Sequence, residues 1–242
     1  MTLRSRVATP FVLAVVALGL AACGSDPTTD PTSTVTVTEP GGSLAPEQQE
    51  LRPREITAAL PTRDEVPLGY ESDPGADDPK QAPESERTTD PASCLALYLD
   101  TPDMRDFATD HVTAAERVRY SDEGSEGIGV LIVTIWTHDE LYPTRFLDAA
   151  GAALGDCARF DSRNRLSDAT SPNRAATITT PLLGDQTFGV RVGAPTGGVT
   201  VDDLWVASGH NLINVHMVTG HDQDNSDILE STAQQVLEDL SA

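Results

Sequence analysis

Lysine is almost absent from this chain. Lys80 is the only one, and 16 basic side chains stand against 38 acidic ones, a formal net charge of −22. That balance excludes nucleic acid as a partner, because phosphates and this surface repel each other. It equally excludes adsorption to anionic lipid by charge alone. The acidic, arginine-over-lysine composition reads as a solvated surface of the kind general in high-GC bacteria. Aromatic residues are also scarce, at 5%. Trp136 reads as core. Trp205 is open between core and cleft, and so is Tyr70, in a loop that looks exposed. No apolar run is long enough to cross a bilayer, which takes roughly 20 residues. The longest, Phe11 to Leu20, stops well short of that.

That run belongs to an address. Arg4 and Arg6 form a positive start, Phe11–Leu20 an apolar core, and Leu20-Ala21-Ala22-Cys23 a small-residue cleavage region. The three together describe a secretory signal, residues 1–22. The tetrapeptide resembles the lipobox of bacterial lipoproteins. The resemblance implies diacylglycerol on the Cys23 thiol, cleavage ahead of Cys23 and acylation, with palmitate for example, of the new amino group. Several acyl chains hold a bilayer stably where one does not. The expected location is the extracytoplasmic face of the cell membrane, with the membrane itself a partner through Cys23. The alternative is an ordinary signal cut after Ala22 that leaves a spare thiol. Cleavage removes Arg4 and Arg6 and makes the mature chain more acidic still.

Cysteine is the next scarcity. With Cys23 acylated, only Cys94 and Cys157 remain. In an oxidising compartment such a pair becomes a disulfide. The bridge closes a loop of about 64 residues, for which the chain-entropy account gives roughly 4 kcal/mol. Two isolated thiolates do not make a metal site. A free catalytic Cys157 is the lesser alternative.

Residues 23–50 read as a lipidated tether. Asp26 to Thr34 is polar, broken by proline and too poor in apolar surface to offset its ordering entropy. Val35 and Val37 alternate with threonines, too briefly for a strand. Residues 51–242 form one domain, long enough to bury roughly 70% of its extended surface. Arg54–Leu60 reads as a short helix. Residues 71–91, nearly free of large apolar side chains, form a long loop or a flap. Cys94–Leu99 is a short helix with Pro102 beyond its end, and Thr113–Tyr120 is a strand.

Ile128–Trp136 is the clearest strand. Ile128, Val130, Ile132 and Trp136 lie on one face and Leu131, Val133 and Ile135 on the other, so it is central and covered on both sides. A helix runs from Pro143 to Cys157 with Phe146, Ala149, Ala150, Ala153, Leu154 and Cys157 on its inner face. Ala175–Thr180 and Thr187–Val192 are strands. Leu204–Ser208 and Leu212–Thr219 flank Gly209-His210-Asn211 as a hairpin. Asp227 and Glu230 make a capping box for a last helix that faces inward through Leu229, Ala233, Val236, Leu237 and Leu240. The fold class is α+β: an antiparallel sheet with packed helices, a single globular domain after a disordered tether.

The order of Leu60-Pro61, Val66-Pro67-Leu68-Gly69-Tyr70, Cys94, the strand Val130–Trp136, the helix to Cys157, the Gly184-Asp185 turn, the Gly209-His210-Asn211 hairpin and the closing helix resembles the PknH-like extracellular sensor domain. That domain ends a transmembrane serine/threonine kinase and recurs in stand-alone lipoproteins of high-GC Gram-positive bacteria. The resemblance covers most of residues 55–240. It implies an antiparallel sheet with helices around a cleft for an unknown ligand, and it brings no catalytic residues. Members commonly carry two disulfides; this chain has cysteines for one. The LpqN-like lipoproteins are a related comparison, also a helix-backed antiparallel sheet.

Candidate chemistry in the sequence is thin. His210, His216 and His221, near Asp222 and Asp224, have metal-ligating side chains, yet the ends of one strand lie roughly 20 Å apart. They read as solvated or core histidines, and no metal is expected. Asp222–Asp227 resembles the front of a calcium loop but has Asp227 where the glycine belongs and Ala233 where the glutamate belongs. Glu123-Gly124-Ser125-Glu126-Gly127 has a glutamate in place of the first glycine of a nucleophile elbow. His138-Asp139-Glu140 lacks zincin spacing. Gly193–Gly198 is not followed by a helix and reads as a strand connection. The expected function is non-enzymatic and without a cofactor: a membrane-anchored sensor-like module that binds a small envelope ligand or a partner protein. The alternative is a structural or protein-interaction lipoprotein of the envelope with no small-molecule ligand.

Overall fold

The computed structural model describes residues 43–73, 79, 85–122 and 129–242. Cys23, the signal segment and the threonine-rich tether lie outside these residues. So do part of the 71–91 stretch and the pentapeptide Glu123–Gly127. Among the described residues no helix is long and apolar enough to cross a membrane.

The described chain opens with a short 3-10 helix, Pro46–Gln48, then α1 (Pro53–Ala59), β1 (Tyr70–Ser72) and β2 (Arg87–Asp90). A second 3-10 helix, Ala92–Tyr98, leads into α2 (Pro102–His111), β3 (Val112–Asp122), β4 (Gly129–His138) and α3 (Thr144–Ala153). The rest is β5 (Phe160–Asn164), β6 (Thr170–Thr177), β7 (Gln186–Gly193), β8 (Val199–Ser208), β9 (Asn211–Gly220) and α4 (Ser226–Ser241). The strands form one sheet in the order β1-β3-β4-β9-β8-β7-β6-β5-β2, with every neighbouring pair antiparallel. The α+β class read from the sequence holds.

One face of the sheet carries the main core. Leu131, Val133 and Ile135 of β4 lie fully buried beside Ile213, Val215 and Met217 of β9 and Leu204 and Val206 of β8. Ile56 and Ala59 of α1 and Leu229, Ala233, Val236 and Leu240 of α4 close over them. β4 is central, as its apolar run predicts, but it is not covered on both sides. Val130, Ile132 and Trp136 are only half-buried, because the helices on that face sit farther along the sheet.

Those helices are α3 and the 3-10 helix Ala92–Tyr98. Phe146, Leu147, Ala150 and Ala153 of α3 pack with Leu97, Phe188, Val190 and Leu212. Leu147 is buried where Ala149 was expected to be, and Ala149 is exposed: the inward stripe of α3 is Phe146, Leu147, Ala150 and Ala153. Cys94 and Cys157 form the expected disulfide with Cα atoms 5.6 Å apart, and both are fully buried.

Two boundaries move. Ser43–Glu50, assigned to the tether on composition, is bonded to the domain. Gln48 Nε2 donates to Asp185 Oδ1 at 2.8 Å, His210 N donates to Gln48 O at 2.9 Å, and Asn211 Nδ2 donates to Glu47 O and Gln49 O at 2.8 Å each. α4 begins at Ser226, so Asp227 lies inside it and no capping box forms there. Asp224 Oδ1 accepts from Ser226 N at 3.1 Å and from Ser226 Oγ at 2.7 Å instead. Asn225 Nδ2 reaches down to Asp202 Oδ2 at 2.8 Å and Thr219 Oγ1 at 2.7 Å, which seats the helix on the sheet.

Candidate functional site

A cavity of about 540 Å³ opens on the half-covered face, between α2, the 3-10 helix at Tyr98 and the β4–β9–β8 strands. Strand pairing explains its floor. Trp136 of β4 lies opposite Leu212 of β9, so both side chains share the face, and Trp205 of β8 shares it by the same alternation through Asn214. The two indoles stack with centroids 6.1 Å apart and planes 24° from parallel. They are the only tryptophans in the chain. Trp136 is therefore a cavity wall and not core, and Trp205 is both buried and cavity-lining.

The indole N–H groups differ. Trp136 Nε1 donates to Pro79 O at 3.0 Å, which ties Pro79 to the middle of the sheet. β1 and β2 stand on opposite edges, so this contact lies between them. Trp205 Nε1 is buried and, among the described residues, has no hydrogen-bond partner. A donor left so costs about 1–3 kcal/mol until something accepts from it.

Phe107 of α2 supplies the roof. Its ring meets Tyr142 edge-on at 5.9 Å and lies 5.3 Å from the His138 ring. His138 Nδ1 donates to His210 O at 2.8 Å, and His210 Nδ1 donates back to His138 O at 2.9 Å. Burial pushes the His138 pKa below its ordinary value, so the ring is neutral at pH 7 and its Nε2 is an acceptor. Burial likewise pushes the phenols of Tyr142 and Tyr98 up, against the opposing pull of Arg145 and Arg87 respectively. The Arg87 guanidinium lies over the Tyr98 ring, 3.8 Å from its centre. Arg105 Nη1 donates to Asp100 Oδ1 at 3.1 Å and to Asp100 O at 2.6 Å. The Ser85 hydroxyl donates to Asp100 Oδ2. Arg117 Nε donates to Thr134 Oγ1 at 3.0 Å.

Next to the cavity, on the same face, Asp203 Oδ1 accepts from His216 Nδ1 at 2.8 Å and Asn214 Nδ2 at 3.0 Å. Burial pulls the His216 pKa down, but the charge and hydrogen bond of Asp203 outweigh it and the net shift is upward. Among the described residues no serine, threonine or cysteine side chain is hydrogen-bonded to His216.

The other candidates scatter. His210 sits in the β8–β9 turn, His216 in mid-strand, and His221 beyond it in an exposed ion pair with Asp222 at 3.0 Å. Among the described residues no three His, Cys, Asp or Glu side chains gather as metal ligands do. Tyr70 is buried in β1 against the main core, not in an exposed loop. The residues missed by sequence reasoning include Phe107, Arg105 and Arg87. They belong to α2 and β2, neither of which was expected. The signal for α2 is Thr101-Pro102: Thr101 accepts from Met104 N at 3.4 Å as N-cap, and Pro102 opens the helix instead of marking the end of the one before it.

Comparison with solved structures gives the extracellular domain of PknH from Mycobacterium tuberculosis, with a TM-score of 0.55 at 16% identity over 80% of this chain and 98% of that one. The chain has the fold of that domain. A second structure, an uncharacterized protein of Mycobacterium smegmatis described as the Rv0999 ortholog, gives 0.42 at 12% identity, over 78% of this chain and 96% of that one. No family model matches the chain, and no curated protein matches it in sequence. The PknH-ectodomain fold accounts for the antiparallel sheet and its flanking helices.

Proposed function

We propose that this chain is a non-enzymatic, sensor-like binding module, held at the extracytoplasmic face of the membrane by acyl chains on Cys23, with its ligand in the Trp136–Trp205 cavity. The observation that carries the reading is the cavity itself. Its volume of about 540 Å³ suits a small molecule, and its walls combine five aromatic rings (Tyr98, Phe107, Trp136, Tyr142 and Trp205) with polar and charged side chains. The unpartnered Trp205 N–H supports the same reading, since a ligand that accepts from it relieves a standing cost. The fold shared with an extracellular domain supports the location.

The test is extraction and mass spectrometry of small molecules from the protein purified from its native host, beside an Ala108→Phe variant. Ala108 lines the cavity from α2, and a phenyl ring there fills it. A compound present with the wild type and absent from the folded variant is the expected result. Equal recovery from both proteins, or none from either, defeats the reading.

A further inference from the structure

The aromatic cavity is graded from floor to rim. Met104, His138, Tyr142, Trp205 and Leu212 are buried, whereas Glu86, Arg87 and Asn164 are exposed. Among the described residues, the charges between these limits are already engaged. Arg105 Nη1 stands 3.1 Å from Asp100 Oδ1, and Asp100 Oδ2 accepts from the Ser85 hydroxyl. Arg117 Nε donates to Thr134 Oγ1 at 3.0 Å, and Arg117 has a further partner besides. Beside the cavity, Asp203 Oδ1 lies 2.8 Å from His216 Nδ1. The rim carries one charge of each sign, Glu86 and Arg87, and the Arg87 guanidinium rests on the Tyr98 ring.

An ion that enters such a site sheds its water and meets only charges that already have partners, which is costly. The exposed pair at the rim returns little, because solvent and salt screen it. An uncharged molecule escapes that penalty. Five aromatic rings offer faces and edges to a flat apolar body. Ser85, Glu86, Arg87 and Asn164 supply donors and acceptors together, which suits a neutral polar group such as a hydroxyl or an amide. Resting on the binding function proposed above, we infer that the ligand class is an uncharged small molecule with a flat, ring-bearing apolar body and a neutral polar head. The body lies among Phe107, Trp136 and Trp205, and the head stays at the rim.

Two fluorescent probes separate charge from shape: N-phenyl-1-naphthylamine, which is uncharged, and 8-anilino-1-naphthalenesulfonate, the same rings with a sulfonate added. Each is titrated into the full mature chain carrying Cys23→Ala, which needs no detergent. Energy transfer from the tryptophans reports cavity binding, because both of them line it. The expected outcome is one amine probe per chain, bound about tenfold or more tighter than the sulfonate, the scale on which a charge buried without a free partner is penalised. Ala108→Phe abolishes the transfer. Asp100→Asn leaves Arg105 without its counter-charge and so narrows the gap by strengthening the sulfonate, while unchanged amine binding shows that the variant has folded. A sulfonate bound as tightly as the amine or tighter in the wild type overturns the uncharged class and leaves the binding cavity standing. No transfer from either probe, or transfer that survives Ala108→Phe, overturns both.

Discussion

Asp202 is a carboxylate with no exposed surface, and its charge is tolerated only through its partners. Arg191 grips both oxygens, Nε to Oδ1 at 2.7 Å and Nη2 to Oδ2 at 2.6 Å, and Asn225 adds a third bond. Removing one partner of such a pair costs about 3–5 kcal/mol, because the other is left charged and buried. Arg191→Leu is therefore expected to lower the urea midpoint by that scale, and Asp202→Asn on top of it to recover part of the loss. A midpoint that stays put in Arg191→Leu would show that the pair contributes nothing. His216 makes a second prediction at this scale. Its folded pKa lies above the ordinary value of 6.5, so its bond to Asp203 stabilises fully below that value and fades as pH rises through the folded one. His138, shifted the other way by burial, stabilises above its unfolded value and loses that contribution as pH falls. Subtracting the stability of His216→Gln from that of the wild type isolates the first. The difference should hold constant below pH 6.5 and shrink as pH rises above it, and a flat profile contradicts it.

At the scale of elements, the Cys94–Cys157 bridge joins the 3-10 helix to the turn after α3, and Tyr98 of the cavity wall ends that helix with Leu99 directly after it. Replacing both cysteines by serine is expected to cost up to about 4 kcal/mol. It should also loosen the wall, which a red shift of tryptophan emission before global unfolding would register. Unchanged emission up to the unfolding transition would separate the bridge from the site. α2 depends on its first turn: Thr101→Ala removes the N-cap and is expected to cost about 1 kcal/mol, read as a lowered melting temperature. The elements read correctly from the sequence are those with one buried stripe: β4, α3, the β8–β9 hairpin and α4. The elements missed are those without one. β5 has a single buried side chain, Phe160, and β2 has none, so neither shows alternation. α2 buries only Met104. It is held by the aromatic stacking of Phe107 on rings that the sequence places dozens of residues away.

At the scale of the whole molecule, the proposed anchor at Cys23 is tested apart from the domain. Cys23→Ala is expected to move the protein from the membrane fraction to the soluble extracytoplasmic fraction without changing its tryptophan emission. Mass spectrometry of the mature wild type should find acyl chains on Cys23, and an unmodified thiol there would remove the anchor. The structured part begins ahead of Leu51, since Glu47, Gln48 and Gln49 bond to the β8–β9 turn and its neighbours. Gly209 permits that docking. Its φ is +57°, and a Cβ there would collide with the Gln48 backbone.

What the sequence by itself determined is what depends on neighbours along the chain: β4 as a central strand, the inward stripes of the long helices, the antiparallel α+β class and the pair of cysteines left to join. Alternation says which side chains share a face of a strand. It carries no information about what covers that face. Only the tertiary structure decided that the Trp136 face of β4 stays half open while its Leu131 face is sealed, because the cover comes from α2, α3 and the 3-10 helix, packed from remote segments. The meeting of Arg87, Arg105 and Arg117 at one cavity has the same origin, since β2, α2 and β3 supply one each.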